Sequence, residues 1–180
     1  MNLLANLLLS LLLWTPPVFA AITCDGVDDE IDLNSNYGFG ATSGAPFSFM
    51  VRFTPSDMSG SAAEQLLARY DGTKLFQIHT QTSDAANNVR VAYGVSPFDA
   101  IASGVNSIVA GTRYTVVFTF TTGGAGAFYL DGTSVGTDAA VTGAFNAATE
   151  LHSCNLGGDN AEFLDAIIHE IAVWNTDLSA

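Results

Sequence analysis

Residues 47–53 read FSFMVRF, and this short stretch decides the fold class of the chain. Phe47, Phe49, Val51 and Phe53 occupy alternate positions along it. Because successive side chains of a β-strand point to opposite faces of a sheet, this alternation predicts a strand with one apolar face against a core. The stretch therefore predicts a β-protein.

Similar alternation, mixed with β-branched and aromatic residues, recurs along the rest of the chain. It is found in residues 75–80 (LFQIHT), 88–93 (NVRVAY), 113–120 (RYTVVFTF), 127–130 (AFYL) and 166–174 (AIIHEIAVW). Turn signals such as Asp71-Gly72, Gly123-Gly124 and Asp131-Gly132 separate these segments. Residues 62–67 are the best candidate for a helix. The pattern predicts an all-β fold, an antiparallel two-sheet β-sandwich or jelly roll, in a single domain.

The composition limits the class of partner. The chain has 18 acidic and 5 basic residues, a formal net charge of -13. Such a surface repels phosphate backbones, so we expect no nucleic-acid binding. The same charge suits a solvated surface or cation binding.

The N-terminus indicates export. Residues 3–14, LLANLLLSLLLW, form an apolar run that is short for a membrane span, and a small-residue pattern follows at residues 18–20. We interpret residues 1–20 as a signal peptide, with a retained hydrophobic segment as the alternative, because no Lys or Arg precedes the run. Cleavage would leave a secreted or surface-exposed domain of residues 21–180, with no stable membrane insertion.

The only two cysteines, Cys24 and Cys154, lie in this domain. In an exported chain a pair of cysteines favours one disulfide bond, and two separate buried thiols are the alternative.

Several motifs, in the same order along the chain, resemble the laminin G-like, concanavalin A-like jelly-roll family. Residues 24–31 (CDGVDDEI) resemble the family opening F-D-G-V-D-D-Y-V, and residues 127–132 (AFYLDG) resemble its signature L-Y-V-D-G. Residues 168–175 (IHEIAVWN) are similar to I-D-E-V-R-I-Y-N. The resemblance covers residues 21–180 and implies a concanavalin A-like sandwich, a fold that serves lectins and glucanases alike.

The acidic segment of residues 25–30, DGVDDE, has two interpretations. It is either a tight turn, in which Gly26 and aspartate side chains satisfy the backbone, or a Ca²⁺ site. Calcium takes several hard oxygen ligands, and Asp25, Asp28 and Asp29 are the candidate ligands. The resemblance also implies calcium, because jelly rolls of this type often bind it near their terminal strands.

A hydrolase is disfavoured. Glu30-Ile31-Asp32 resembles part of the Glu-x-Asp-x-Glu catalytic strand of laminarinase-type glucanases, but the third acidic position is Asn34. An amide cannot exchange the proton that acid/base catalysis of glycoside cleavage requires, so half of the carboxylate pair is missing. We expect a protein that is not an enzyme.

The sequence thus predicts a secreted, non-catalytic, lectin-like carbohydrate-binding module. Tyr70 and Tyr93 are the candidate stacking rings, with Asp71 and Asn88 as polar partners, whereas Tyr129 and Trp174 are expected in the core. His79 is expected to be a surface or hydrogen-bonded histidine. The alternative is a structural or decoration protein of a virion or cell surface that contacts other proteins.

Overall fold

The computed structural model describes residues 21–33, 46–58, 63–70, 74–81, 87–95, 99–102, 107–121, 125–138, 151–155 and 163–178. Within these ranges the chain forms twelve strands. They are β1 (Ile22–Asp25), β2 (Ile31–Asp32), β3 (Phe47–Pro55), β4 (Ala63–Tyr70), β5 (Lys74–Gln81), β6 (Asn88–Val95), β7 (Asp99–Ala102), β8 (Tyr114–Phe120), β9 (Gly126–Leu130), β10 (Thr133–Asp138), β11 (His152–Ser153) and β12 (Asp165–Trp174). No helix long and apolar enough to cross a bilayer occurs in the described ranges.

The strands form two antiparallel sheets of six strands each. Sheet A has the order β1-β12-β3-β8-β9-β10, and sheet B has the order β2-β11-β4-β5-β6-β7. The predicted two-sheet sandwich is therefore confirmed. β1 and β12 are neighbours, with Cys24 opposite Ala166 and Asp25 opposite Asp165.

The core lies between the two sheets, as the alternation in residues 47–53 predicts. Phe47, Phe49, Val51 and Phe53 are all at most 1% exposed. They pack in one cluster with Phe76 of β5 and with Phe118 and Phe120 of β8. The rings of Phe49 and Phe76 are stacked, with their centroids 4.5 Å apart. Aromatic contacts of this kind add to the stabilisation from buried apolar area.

Cys24 and Cys154 form the predicted disulfide, with their Cα atoms 6.0 Å apart. Cys24 belongs to β1 of sheet A, and Cys154 follows β11 of sheet B, so the bond joins the two sheets. Both cysteines are completely buried. The predicted signal peptide, residues 1–20, lies outside the described residues, and its removal stays a prediction.

The helix candidate at residues 62–67 was wrong, because β4 (Ala63–Tyr70) covers most of it. β4 pairs with β5 along its whole length, and a register shift between Gln65 and Leu67 interrupts the pairing. This bulge puts two adjacent leucines, Leu66 and Leu67, in the buried core. The local sequence therefore loses the alternation by which a strand is recognised.

Candidate functional site

The acidic segment forms a turn directly after β1. Gly26 has a φ of 77°, a left-handed conformation that glycine adopts at little cost. A Cβ at this position would lie 3.1 Å from Cβ of Asp165 on β12, so the space also requires glycine. The backbone N–H of Gly26 donates to the carbonyl oxygen of Leu164 at 3.1 Å. The turn is thus held against the start of β12.

The turn gathers the three predicted metal ligands. One carboxylate oxygen from each of Asp25, Asp28 and Asp29 lies within 4.8 Å of the others. Asp29 Oδ2 accepts a hydrogen bond from the Asp25 backbone N–H at 2.7 Å, and Asp25 Oδ1 accepts one from the Val27 N–H at 3.0 Å. The two interpretations of this segment are therefore compatible, since the same aspartates hold the turn and gather their carboxylates. Converging carboxylate oxygens are the donors that Ca²⁺ prefers.

A further carboxyl group, that of Glu64 on β4, is buried near this turn. The Asp165 backbone hydrogen-bonds to it, and Asp165 is the register partner of Asp25. Burial raises the pKa of Glu64 to about 7, the charges of Asp165 and Asp57 raise it too, and the Asp165 backbone and Thr80 hydroxyl offset part of the rise. Its Oε2 atom is buried without a hydrogen-bond partner of acceptable geometry among the described residues. The sequence did not single out Glu64, because its neighbours in space lie on other strands.

The structure describes the predicted sugar-binding residues only in part. Tyr70 pairs in register with Leu75, and Tyr93 pairs with Phe76, so the two tyrosines lie near one another along the sheet. Asn88 lies at the other end of β6, opposite Gln81 and about 17 Å from Tyr93 along the strand. Asn88 is buried, and Asp71 lies outside the described residues. The role of these four residues stays a prediction.

The outer face of sheet B carries a layer of polar side chains. Gln65, Gln77 and His79 project from it and are all buried. Gln77 hydrogen-bonds to His79. Burial, and then the charge of Arg90, lowers the pKa of His79 to about 3, so the imidazole is neutral near pH 7. His79 is thus a hydrogen-bonded structural histidine, one of the two roles expected for it.

Glu30 and Asp32, which resemble part of a glucanase catalytic strand, lie next to β11. Glu30 Oε1 lies 2.5 Å from Nδ1 of His152, so a histidine of β11 is close to the carboxylate. Asp32 is the register partner of His152 on the edge strand β2. Asn34 lies outside the described residues. The side chain of Glu30 is therefore close to β11, and Asp32 pairs with β11 through the backbone.

Tyr129 and Trp174 are not in the core, contrary to the prediction. Tyr129 is opposite Val117 on β8, and Trp174 is opposite Ser48 on β3. The residues that precede them, Phe128 and Val173, face the core. Because successive residues of a strand point to opposite faces, the rings of Tyr129 and Trp174 project from the outer face of sheet A. Both residues are partly exposed there.

Among the described residues, two clefts at the surface of the sandwich are lined well enough to be compared. The first, of about 280 Å³, is mainly apolar and lies between β1, β2 and β12, with Ile22, Ile31, Leu33 and Ile168 in its wall. The second, of about 470 Å³, lies at the corner of β8, β9 and β10. It is bounded by Tyr114, Leu130, Asp131, Thr133, Ser134 and Val135. The second cleft offers more hydrogen-bonding groups than the first.

Comparison with known proteins identifies the family. A family model described as the concanavalin A-like lectin/glucanases superfamily matches residues 25–180. No curated protein sequence matches the chain significantly.

Solved structures share the fold at low sequence identity. A heptameric SAP-like pentraxin from Limulus polyphemus is 15% identical, with a TM-score of 0.63, and the match covers 88% of this chain and 77% of the pentraxin. Domain 4 of the arabinanase AbnA from Geobacillus stearothermophilus, solved in complex with arabinotriose, is 17% identical, with a TM-score of 0.64 over 88% of this chain and 72% of that one. Domains LG4-5 of the mouse laminin alpha1 chain are 10% identical, with a TM-score of 0.60, and the match covers 92% of this chain but only 45% of theirs.

Proposed function

Because the chain belongs to the concanavalin A-like lectin/glucanase superfamily, we propose that it is an extracellular, non-catalytic binding module for carbohydrate that uses calcium. The observation that carries the proposal is the convergence of Asp25, Asp28 and Asp29 in the turn after β1. The domain of similar fold that was solved with arabinotriose supports carbohydrate as the ligand class. The disulfide supports an oxidising, extracellular location.

Calcium would stabilise the turn and would take no part in a reaction. The turn is tied to β12 through Gly26 and lies next to the disulfide of Cys24. A bound cation would neutralise the repulsion between the three carboxylates and fix the backbone at this end of the sandwich. We expect the module to bind its ligand without chemical change, because the residue at the third position of the glucanase pattern is Asn34. The carboxylate of Glu30 lies against His152, which is compatible with this expectation.

A glycan array, printed with neutral and acidic polysaccharides and probed in calcium and in EDTA, tests the function. We expect binding in calcium that EDTA weakens. Absence of binding to every polysaccharide in the presence of calcium would refute carbohydrate recognition.

Calcium should also stabilise the fold. At a concentration a hundred times the dissociation constant, we expect a gain of about 2.7 kcal/mol in the free energy of unfolding, measured by denaturant titration. Asp28→Asn should abolish the gain, and it spares the backbone hydrogen bonds that Asp25 and Asp29 accept. Asp177→Asn, on the C-terminal segment, is the matched control. An equal gain in Asp28→Asn and wild type would show that calcium binds elsewhere.

Protein recognition is the second candidate function, and the apolar cleft favours it. Ile22, in the wall of this cleft, is 48% exposed, and Val27 in the adjoining turn is 65% exposed. Exposed aliphatic side chains beside a recess are typical of protein contacts. A structural or decoration role would follow if the chain copurifies in stoichiometric amounts with a capsid or filament and binds no glycan.

A further inference from the structure

The second cleft has a rigid frame. The strands β9 and β10 are joined by Asp131 and Gly132, whose φ angles of 48° and 77° are both left-handed. Consecutive positive φ values in a two-residue connection are typical of a type I′ hairpin turn. The Asp131 N–H donates to the Thr115 carbonyl oxygen at 2.8 Å, and Asp131 Oδ1 accepts from the Thr115 N–H at 2.7 Å. The hairpin is therefore fixed to β8.

The opposite wall of this cleft, which we call the hairpin cleft, is also held in place. Tyr114 is 8% exposed, and its hydroxyl accepts a hydrogen bond from the Val109 N–H at 2.9 Å. Val109 belongs to the segment before β8. Since both walls are fixed by hydrogen bonds, the cleft needs little rearrangement to receive a ligand, which lowers the entropic cost of binding.

The lining of the hairpin cleft combines apolar and hydroxyl groups. Leu130 and Val135 are partly buried and pack against the core, so they offer an aliphatic surface. Thr133 and Ser134 are exposed and offer hydroxyl groups, and Asp131 offers a carboxylate. A sugar ring has the complementary surface, since it presents C–H groups on its faces and hydroxyl groups around its rim.

Tyr129, next to Leu130 on β9, lies outside the cleft lining. Neighbouring residues of a strand project from opposite faces, and Leu130 packs against the core. Tyr129 therefore projects from the outer face of sheet A, where it is partly exposed, and it provides a control position.

Charge narrows the class of sugar. None of the described lining residues of the hairpin cleft is basic, and Asp131 is its one charged residue among them. The chain as a whole carries a formal net charge of -13. Uronic acids and sulfated sugars would be repelled at such a site, whereas uncharged sugars would not.

We propose that the hairpin cleft binds a neutral sugar unit, with Thr133, Ser134 and Asp131 hydrogen-bonding to its hydroxyl groups and with Leu130 and Val135 contacting one ring face. This inference rests on the proposed carbohydrate function and places its contact site. It assigns recognition to the corner of β8, β9 and β10, away from Asp25, Asp28 and Asp29.

The test is a titration of the full chain with arabinotriose, xylotriose, laminaritriose and mannotriose, and with trigalacturonate as the acidic probe. We expect at least one neutral trisaccharide to bind and trigalacturonate not to bind. Thr133→Val, which keeps the shape of an exposed side chain, should weaken binding about tenfold by removing a hydrogen-bonding hydroxyl. Tyr129→Phe, on the outer face of the sheet and outside the cleft, should bind as the wild type does.

Thr137→Val is the matched control, since Thr137 is exposed on the same strand but outside the cleft. It should bind as the wild type does. If the wild type binds and Thr133→Val binds equally well, the hairpin cleft is not the site, although the proposed function stands. If the wild type binds no glycan in this titration or on the array, both proposals are refuted.

Discussion

Replacing both Cys24 and Cys154 by alanine should lower the free energy of unfolding by about 4–5 kcal/mol. The bond closes a loop with a sequence separation of 130 residues, so its loss greatly increases the conformational freedom of the unfolded chain. It also joins an edge strand of sheet A to the segment after β11 of sheet B. Alanine leaves no polar group in this buried position, so the loss measures the crosslink together with a small cavity.

Urea unfolding of the oxidised wild type and of the double variant measures this difference. A reducing agent should destabilise the wild type and leave the double variant unaffected. A difference below about 1 kcal/mol would show that the β1–β12 pairing holds the terminus without the bond.

The second large effect concerns pH. Glu64→Gln should stabilise the protein by about 2 kcal/mol above pH 8 and leave its stability nearly unchanged at pH 4. The pKa of Glu64 is raised from 4.5 to about 7 in the folded state, so folding favours the protonated form. The contribution of protonated Glu64 to the free energy of unfolding is fully present below pH 4.5 and is lost as the pH rises through 7. Glutamine keeps the size of the side chain and removes the charge. The full shift corresponds to about 3 kcal/mol, which solvent screening reduces.

Denaturant unfolding of wild type and Glu64→Gln, at a series of pH values in EDTA, provides the measurement. Asp28→Asn removes the same charge from an exposed position and shows how much of the effect comes from lowering the net charge alone. A constant difference between wild type and Glu64→Gln from pH 4 to pH 9 would contradict the assignment of the raised pKa to Glu64.

The sandwich could be predicted because its strands carry local signals. Residues 47–53 alternate, and the apolar positions that the alternation assigns to the core, Phe47, Phe49, Val51 and Phe53, are buried in the structure. Residues 62–67 could not be assigned in the same way. Alanine, glutamate, glutamine and leucine favour helices in isolation, and only pairing with β5 makes this segment a strand.

The same difference between local and long-range contacts decides which parts of the candidate site could be predicted. Asp25, Asp28 and Asp29 are close in sequence, so a single turn gathers them and their proximity could be expected. The contact between Glu64 and Asp165 joins residues about a hundred positions apart, and no local pattern reveals it. The resemblance to the family predicts Tyr129 in the core because its strand matches a core strand, but its place one residue after Phe128 puts it on the outer face.

The crosslink also determines how the domain responds to mechanical tension. If the chain is pulled from the N-terminal side of β1 and the C-terminal side of β12, Ile22 and Thr23 can peel from Ile168 and Ile167 before Cys24 is reached. From that point the force passes through the covalent bond to Cys154 and bypasses the residues between the two cysteines. Most residues of both sheets lie between the two cysteines and are therefore shielded from extension.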